Sequence, residues 1–300
     1  MTARDGADMQ DKVIVITGAT SGIGQVAARR LAVMGARMVL VARDKTRGEE
    51  VMAQLRRDNP GVSPSIYYGD LSRHSEMKRI AAEIAAVEPR VDVLINNAGA
   101  LFGSCHLTED HWERTFAINH MAYFVLTNGL LDRLLASAPA RIVNTASAAH
   151  KGRRLDWDDL QSITSFSPLK AYGRSKLCNI LFTRELSRRL TGTGVTANCL
   201  HPGFVATRFG DGSGRLLAGV VDFAKRFAIS PEKGAETLVY LASSADVARV
   251  SGEYFYQCRP ATATSQARDD SAAARLWTES ARLAGGGAEE TSEGSSPKHS

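Results

Sequence analysis

Tyr172 and Lys176 stand four residues apart in AYGRSKLCN, residues 171–179. On a helix this spacing puts both on one face, a phenol one turn from an ammonium. A free phenol, with a pKa of about 10, is almost wholly protonated at neutral pH. It suits donation of a proton to an oxygen that gains charge, and makes a poor base. A neighbouring cation favours the phenolate and is expected to lower the Tyr172 pKa. A drop of a few units would poise the group for transfer in either direction. Taken alone, the pair could equally be a surface contact with no chemistry.

A second cluster, TGATSGIG at 17–24, tips the choice. It follows an apolar run and precedes a helical pattern. Gly18, Gly22 and Gly24 allow a tight turn and close approach of a ligand to the backbone. A helix opening near Ile23 presents free N–H groups and partial positive charge, which suits a pyrophosphate. Thr20 and Ser21 add hydroxyls. The spacing is G-x-x-x-G-x-G rather than G-x-G-x-x-G, so the strand–turn–helix setting matters as much as the glycines. The second strand ends at Ala42 and is followed by Arg43. An acid at this place commonly meets a ribose 2′-OH, whereas an Arg can pair with a 2′-phosphate. NADP(H) is therefore expected over NAD(H), with Asp44 as the contrary sign and Arg47 as an ally. Asp70, with Leu71 beside it, could face an adenine or simply cap a helix.

These groups need a frame, and the pattern supplies one. Short apolar runs at Lys12–Thr17, Arg37–Ala42, Ser65–Tyr68, Val91–Ile95, Arg141–Thr145, Val195–Leu200 and Glu253–Tyr256 read as strands. Between them, Gln25–Met34, Asp44–Asp58, Glu76–Val87, Trp112–Leu135, Leu169–Leu190 and Pro231–Ser243 read as helices, with a last one at Ala267–Leu283. Such alternation predicts an α/β fold, a doubly wound parallel sheet of the Rossmann type. One domain over 11–284 is expected, with a loose N-terminus (1–10) and a disordered tail (285–300). Ligands of such sheets bind beyond the carboxyl ends of the strands, where every motif above falls.

Composition narrows the classes. The chain has 300 residues, is 44% apolar and carries a net charge of +5. The basic residues are spread out, which argues against a nucleic-acid partner. Cys105, Cys178, Cys199 and Cys258 show no metal-ligand spacing and suit an intracellular protein with reduced thiols. No run reaches the ~18 apolar residues of a membrane span, and MTARDGADMQDK is unlike a signal peptide. A cytoplasmic protein is expected.

Together, TGATSGIG, NNAG at 96–99, Asn119, Ser147, Tyr172-x-x-x-Lys176 and Pro202-Gly203 resemble the short-chain dehydrogenases/reductases. The resemblance covers about residues 10–283. SKLCNILFTRELSRRLTGTGVTANCLHPG (175–203), VARDKTRGEE (41–50) and YFYQCRPA (254–261) are most similar to the retinol-dehydrogenase-like branch. It implies that Tyr172 is the acid/base and that Ser147 aligns a carbonyl. It further implies that Lys176 tunes Tyr172 and holds the nicotinamide ribose, and that Asn119 supports Lys176 through a water. Asn97, Ala98, Gly99, Pro202, Gly203, Val205 and Thr207 would line the cofactor, and 204–230 would form a substrate lid. The lid's Leu216, Leu217, Phe223 and Phe227 suggest a hydrophobic carbonyl or alcohol substrate. His150 and His201 match no catalytic position and are read as structural or substrate-contacting. Two alternatives remain. One is reduction of a C=C bond, since YGRSKLCN also resembles the light-dependent protochlorophyllide reductases. The other is a dinucleotide-binding sensor without catalysis. Assembly stays open between monomer and homodimer.

Overall fold

The computed structural model describes residues 8–61, 63–203 and 229–285. Their strands are β1 Val13–Thr17, β2 Arg37–Ala42, β3 Ser65–Tyr68, β4 Val93–Asn96, β5 Ala140–Thr145, β6 Val195–Leu200, β7 Tyr254–Tyr256 and β8 Arg259–Pro260. They form one sheet in the order β3-β2-β1-β4-β5-β6-β7-β8. Every pairing is parallel except β7 with β8. The two-residue β8 has no apolar run of its own, and the sequence reading missed it.

Alternation within the strands sends side chains to two separate cores. Val13, Val15, Val39 and Val41 join one cluster; Ile14, Ile16, Met38 and Leu40 join the other. The second is covered by helices α1 (Gly22–Val33), α2 (Lys45–Asp58) and α8 (Pro231–Ser243). The first is covered by α3 (His74–Val87), α5 (Ala122–Gly129), α7 (Pro168–Arg189) and α9 (Asp270–Gly285). Helices on both faces make the fold the expected doubly wound α/β sheet.

Helix ends follow local chemistry. Asp44 is the cap of α2, accepting the Arg47 N–H, so that helix starts one residue later than its pattern suggests. Pro168 opens α7, where its missing N–H costs nothing. Between Trp112 and Leu135 the expected single helix is broken. Short α4 (Arg114–Phe116) runs into a π turn, Ala117–Met121, then α5 and α6 (Leu131–Ala136). The residues before α9 also differ from expectation: Gln266–Arg268 is a separate 3-10 turn. At the other end Met9 is buried and its N–H bonds the Met34 carbonyl, so the N-terminal segment is tied down by that residue. Residues 1–7 and the expected tail beyond 285 lie outside the described residues.

β1, β4, β5 and β6 are neighbours, so their carboxyl ends at Thr17, Asn96, Thr145 and Leu200 share one edge. The strand order reverses between β1 and β4, which opens a crevice there.

Candidate active site

The turn after β1 is made by backbone. Gly18 has φ +68° and Gly22 φ +56°, in the left-handed region. A Cβ on Gly24 would lie 2.3 Å from the Gly18 carbonyl oxygen and 2.5 Å from Asn97 Nδ2. The turn is clipped to the end of β4. The Thr17 hydroxyl accepts the N–H groups of Asn97 (3.0 Å) and Ala98 (2.9 Å). The Asn97 amide donates back to the carbonyls of Thr17 and Gly18 at 3.1 and 3.2 Å. Asn97 is thus a brace for the loop, and Thr17, which sequence reasoning passed over, is its counterpart. Ser21 caps α1 without a side-chain bond, leaving its hydroxyl and the first-turn N–H groups available. This glycine-floored, donor-rich cradle fits a pyrophosphate.

Arg43 is exposed, and among the described residues it has neither an ion pair nor a hydrogen bond. Asp44 is engaged elsewhere, accepting the Arg47 N–H at 3.1 Å and pairing with the Arg47 guanidinium at 3.2 Å. Asp70 accepts the Ser72 N–H at 2.9 Å in the turn before α3, and Leu71 is buried there. Asp70 thus braces a local turn and is not a helix cap: the cap position of α3 is Arg73, which makes no side-chain cap bond.

Three elements bring the reaction groups together. Ser147 follows β5, Tyr172 and Lys176 lie on α7, and Asn119 sits in the π turn. The Ser147 hydroxyl lies close enough to Tyr172 to influence its phenol, and accepts the Ala149 N–H at 3.2 Å. Lys176 is 2% exposed, and its Nζ donates to the Thr145 carbonyl at 3.0 Å. Nζ also lies 5.7 Å from the Tyr172 ring centre and 5.6 Å from that of Tyr123. Tyr123 donates to the Ala98 carbonyl at 2.9 Å, so it ties the cofactor loop to the lysine. Asn119 does not touch Lys176. Its amide holds both backbone groups of Ala100, at 2.8 and 2.9 Å, and donates to Ser175 at 2.9 Å. That fixes Gly99, where a Cβ would come 3.1 Å from Asn119 Oδ1 and 3.2 Å from Lys176 Nζ. The π turn is what aims both amide atoms at one residue.

Electrostatics correct one expectation. Burial pushes the Tyr172 phenol up to about 12, with the nearby Ser147 hydroxyl pulling the other way. Burial likewise pulls Lys176 down to about 7. Desolvation thus outweighs attraction between the two groups, and in the free protein the phenol is held protonated. Thr145, at the end of β5, contributes its backbone carbonyl to the site.

Pro202 and Gly203 end the strand β6 region, with Gly203 at φ +90°. Val205, Thr207 and most of the expected lid (204–228) lie outside the described residues. His150 is buried; its Nδ1 is 2.7 Å from the Ser147 carbonyl oxygen, and Nε2 has no partner. His201 stacks on Tyr256 at 4.1 Å, and burial pulls it down to about 4. Both imidazoles favour the neutral form, consistent with structural roles. The four cysteines are free.

A dinucleotide cradle and a Ser–Tyr–Lys cluster at one sheet edge define a class, and comparison with known proteins agrees. The profile of the short chain dehydrogenases matches residues 12–215, and the chain belongs to that family. It falls in the retinol-dehydrogenase-like branch and is an NAD(P)-dependent oxidoreductase acting on CH–OH or C=O groups. Human retinol dehydrogenase 14 is 42% identical over 295 residues, 91% of this chain and 87% of that protein. Mouse retinol dehydrogenase 12 is 40% identical, over 91% of this chain and 86% of that protein. Among solved structures, a Mycobacterium paratuberculosis protein superposes with a TM-score of 0.76 at 31% identity, covering 95% of this chain and 98% of that one. A candidate NAD(P)-dependent gluconate 5-dehydrogenase from Beutenbergia cavernae, with bound NADP, gives 0.68 at 28% identity, over 83% and 96%.

Proposed function

We propose that this protein is a cytoplasmic NADP(H)-dependent oxidoreductase that interconverts a carbonyl and an alcohol on a hydrophobic small molecule. The observation that carries the catalytic part is the convergence of Ser147, Tyr172 and Lys176, with Lys176 Nζ 5.7 Å from the Tyr172 ring centre. Reduced nicotinamide, when bound, supplies the hydride. The substrate oxygen then sits between the Ser147 and Tyr172 hydroxyls. Tyr172 gives its proton to that oxygen as charge develops, and Ser147 keeps the oxygen in line. A phenol held protonated in the free protein is suited to reduction. For oxidation, Tyr172 must accept the alcohol proton, which needs further support for the phenolate.

The cofactor preference is supported by Arg43, exposed where β2 ends and without a partner among the described residues, and by the engagement of Asp44 in its own cap and ion pair. A hydrophobic substrate is supported by the branch to which the chain belongs. No described helix is long and apolar enough to cross a membrane.

The test is a fluorescence titration with NADPH and NADH, run on the native protein, Arg43→Leu and Tyr172→Phe. Native protein is expected to bind NADPH more tightly, by about tenfold or more, with Arg43→Leu losing that margin. Tyr172→Phe is expected to bind NADPH normally and to lose turnover of hydrophobic aldehydes and ketones by at least about 100-fold. Equal turnover in Tyr172→Phe would refute the mechanism.

A further inference from the structure

The Thr145 carbonyl oxygen is unusually crowded with donors. Besides Lys176 Nζ, it accepts the Asn179 amide at 3.1 Å and lies 3.4 Å from the Tyr123 hydroxyl. Asn179 is fully buried on α7, one turn beyond Lys176. Its other atom, Oδ1, has no hydrogen-bond partner among the described residues. His120 is also fully buried, and its Nε2 is 2.7 Å from the Ser280 hydroxyl on α9. Ser280 itself bonds the Leu276 carbonyl at 2.7 Å. Buried polar groups from the last helix, the π turn and α7 thus gather near the carbonyl that holds the lysine. Buried polar groups are unfavourable unless paired, so the Asn179 bond to that carbonyl marks a place where geometry is specified.

No carboxylate pairs with Lys176 among the described residues. The titratable groups facing Nζ are Tyr172 on its own helix and Tyr123 from α5, both phenols raised by burial. Among the described residues the ammonium's hydrogen-bond acceptor is therefore a neutral carbonyl dipole, whose worth depends on its direction.

We propose that Asn179, buried one turn beyond Lys176 and donating to the same carbonyl, is a positioning residue for Lys176: it fixes the Thr145 carbonyl in the direction from which that carbonyl receives the ammonium. This rests on Lys176 being the catalytic lysine. Asn119 braces the lysine's other side through Gly99, and Asn179 completes the seat from below.

The experiment is NMR titration of lysine labelled at Cε, with Lys176 assigned by its absence in Lys176→Met, alongside kcat and KM where a substrate is in hand. In native protein the signal titrates near 7, burial having lowered it. In Asn179→Leu it is expected to fall by about 0.5 or more, because an ammonium without an oriented acceptor is disfavoured. Turnover should drop about tenfold, with NADPH affinity changed much less. Asn179→Ala, which removes the same donor without adding bulk, should reproduce both effects, and it decides alone if Asn179→Leu does not fold. An unchanged or raised Lys176 titration in the folded variants overturns the proposal. Retained turnover in Lys176→Met would instead refute the catalytic reading of the lysine and leave the titration result standing.

Discussion

The turn after β1 and the cluster around Tyr172 share one edge of the sheet, yet they are built from different materials. At the turn, glycines put backbone against backbone, and the closest approach is set by what a single Cβ would strike. Around Tyr172, side chains from β5, the π turn and α7 meet, and each is held by groups distant in sequence. Asn119 reaches Ala100 and Ser175, and Lys176 reaches Thr145. The first kind of site tolerates almost no change in shape. The second tolerates shape but not loss of a donor or acceptor. Binding and chemistry should therefore come apart under mutation.

The sharpest break is Gly24→Ala. Its new Cβ would overlap the Gly18 carbonyl, so the turn must open. NADPH affinity measured by titration should fall at least about 100-fold, with turnover lost for want of cofactor. A normal affinity would mean the turn does not form the cradle. Ser147→Ala is the mirror case: kcat should fall about 100-fold while NADPH binding holds. Loss of binding in that variant would erase the distinction between the two regions.

The acid side probes the buried polar groups behind the lysine. His120 is held neutral, its pKa pulled down to about 3 by burial, against about 6.5 when unfolded. A depressed imidazole means that the unfolded chain binds the extra proton first. Its contribution is therefore complete above pH 6.5 and is lost as pH falls toward 3. Urea unfolding of native protein should lose about 1–3 kcal/mol more between pH 7 and 4.5 than His120→Asn does. Parallel slopes would show that His120 already protonates in the fold. The smallest effect expected is Thr17→Val. It strands the N–H groups of Asn97 and Ala98 and should lower stability by about 1–2 kcal/mol in the same assay. A neutral result would mean that the turn needs no clip to β4.

Much of this was legible in the chain. Alternating apolar runs marked seven of the eight described strands, and the missed one, Arg259–Pro260, is made of residues that say nothing about strands. Tyr172, Lys176, Ser147 and the glycines stood out because their types and spacing are rare outside such chemistry. The break in the Trp112–Leu135 helix did not stand out, because apolar residues keep recurring at helix-compatible spacing along it. The π turn forms there as Asn119 takes both backbone groups of Ala100, a contact between parts that no local pattern announces.

The sequence by itself determined the fold class, the family and the candidates for the reacting side chains. These depend on residue type and short spacing, which the chain carries openly. Tertiary structure alone decided the protonation balance at the site. Burial keeps Tyr172 protonated and lowers Lys176, a result of how much water the folded chain excludes. It also decided what holds the lysine: a backbone carbonyl at the end of β5, a group every residue possesses and only the fold can aim.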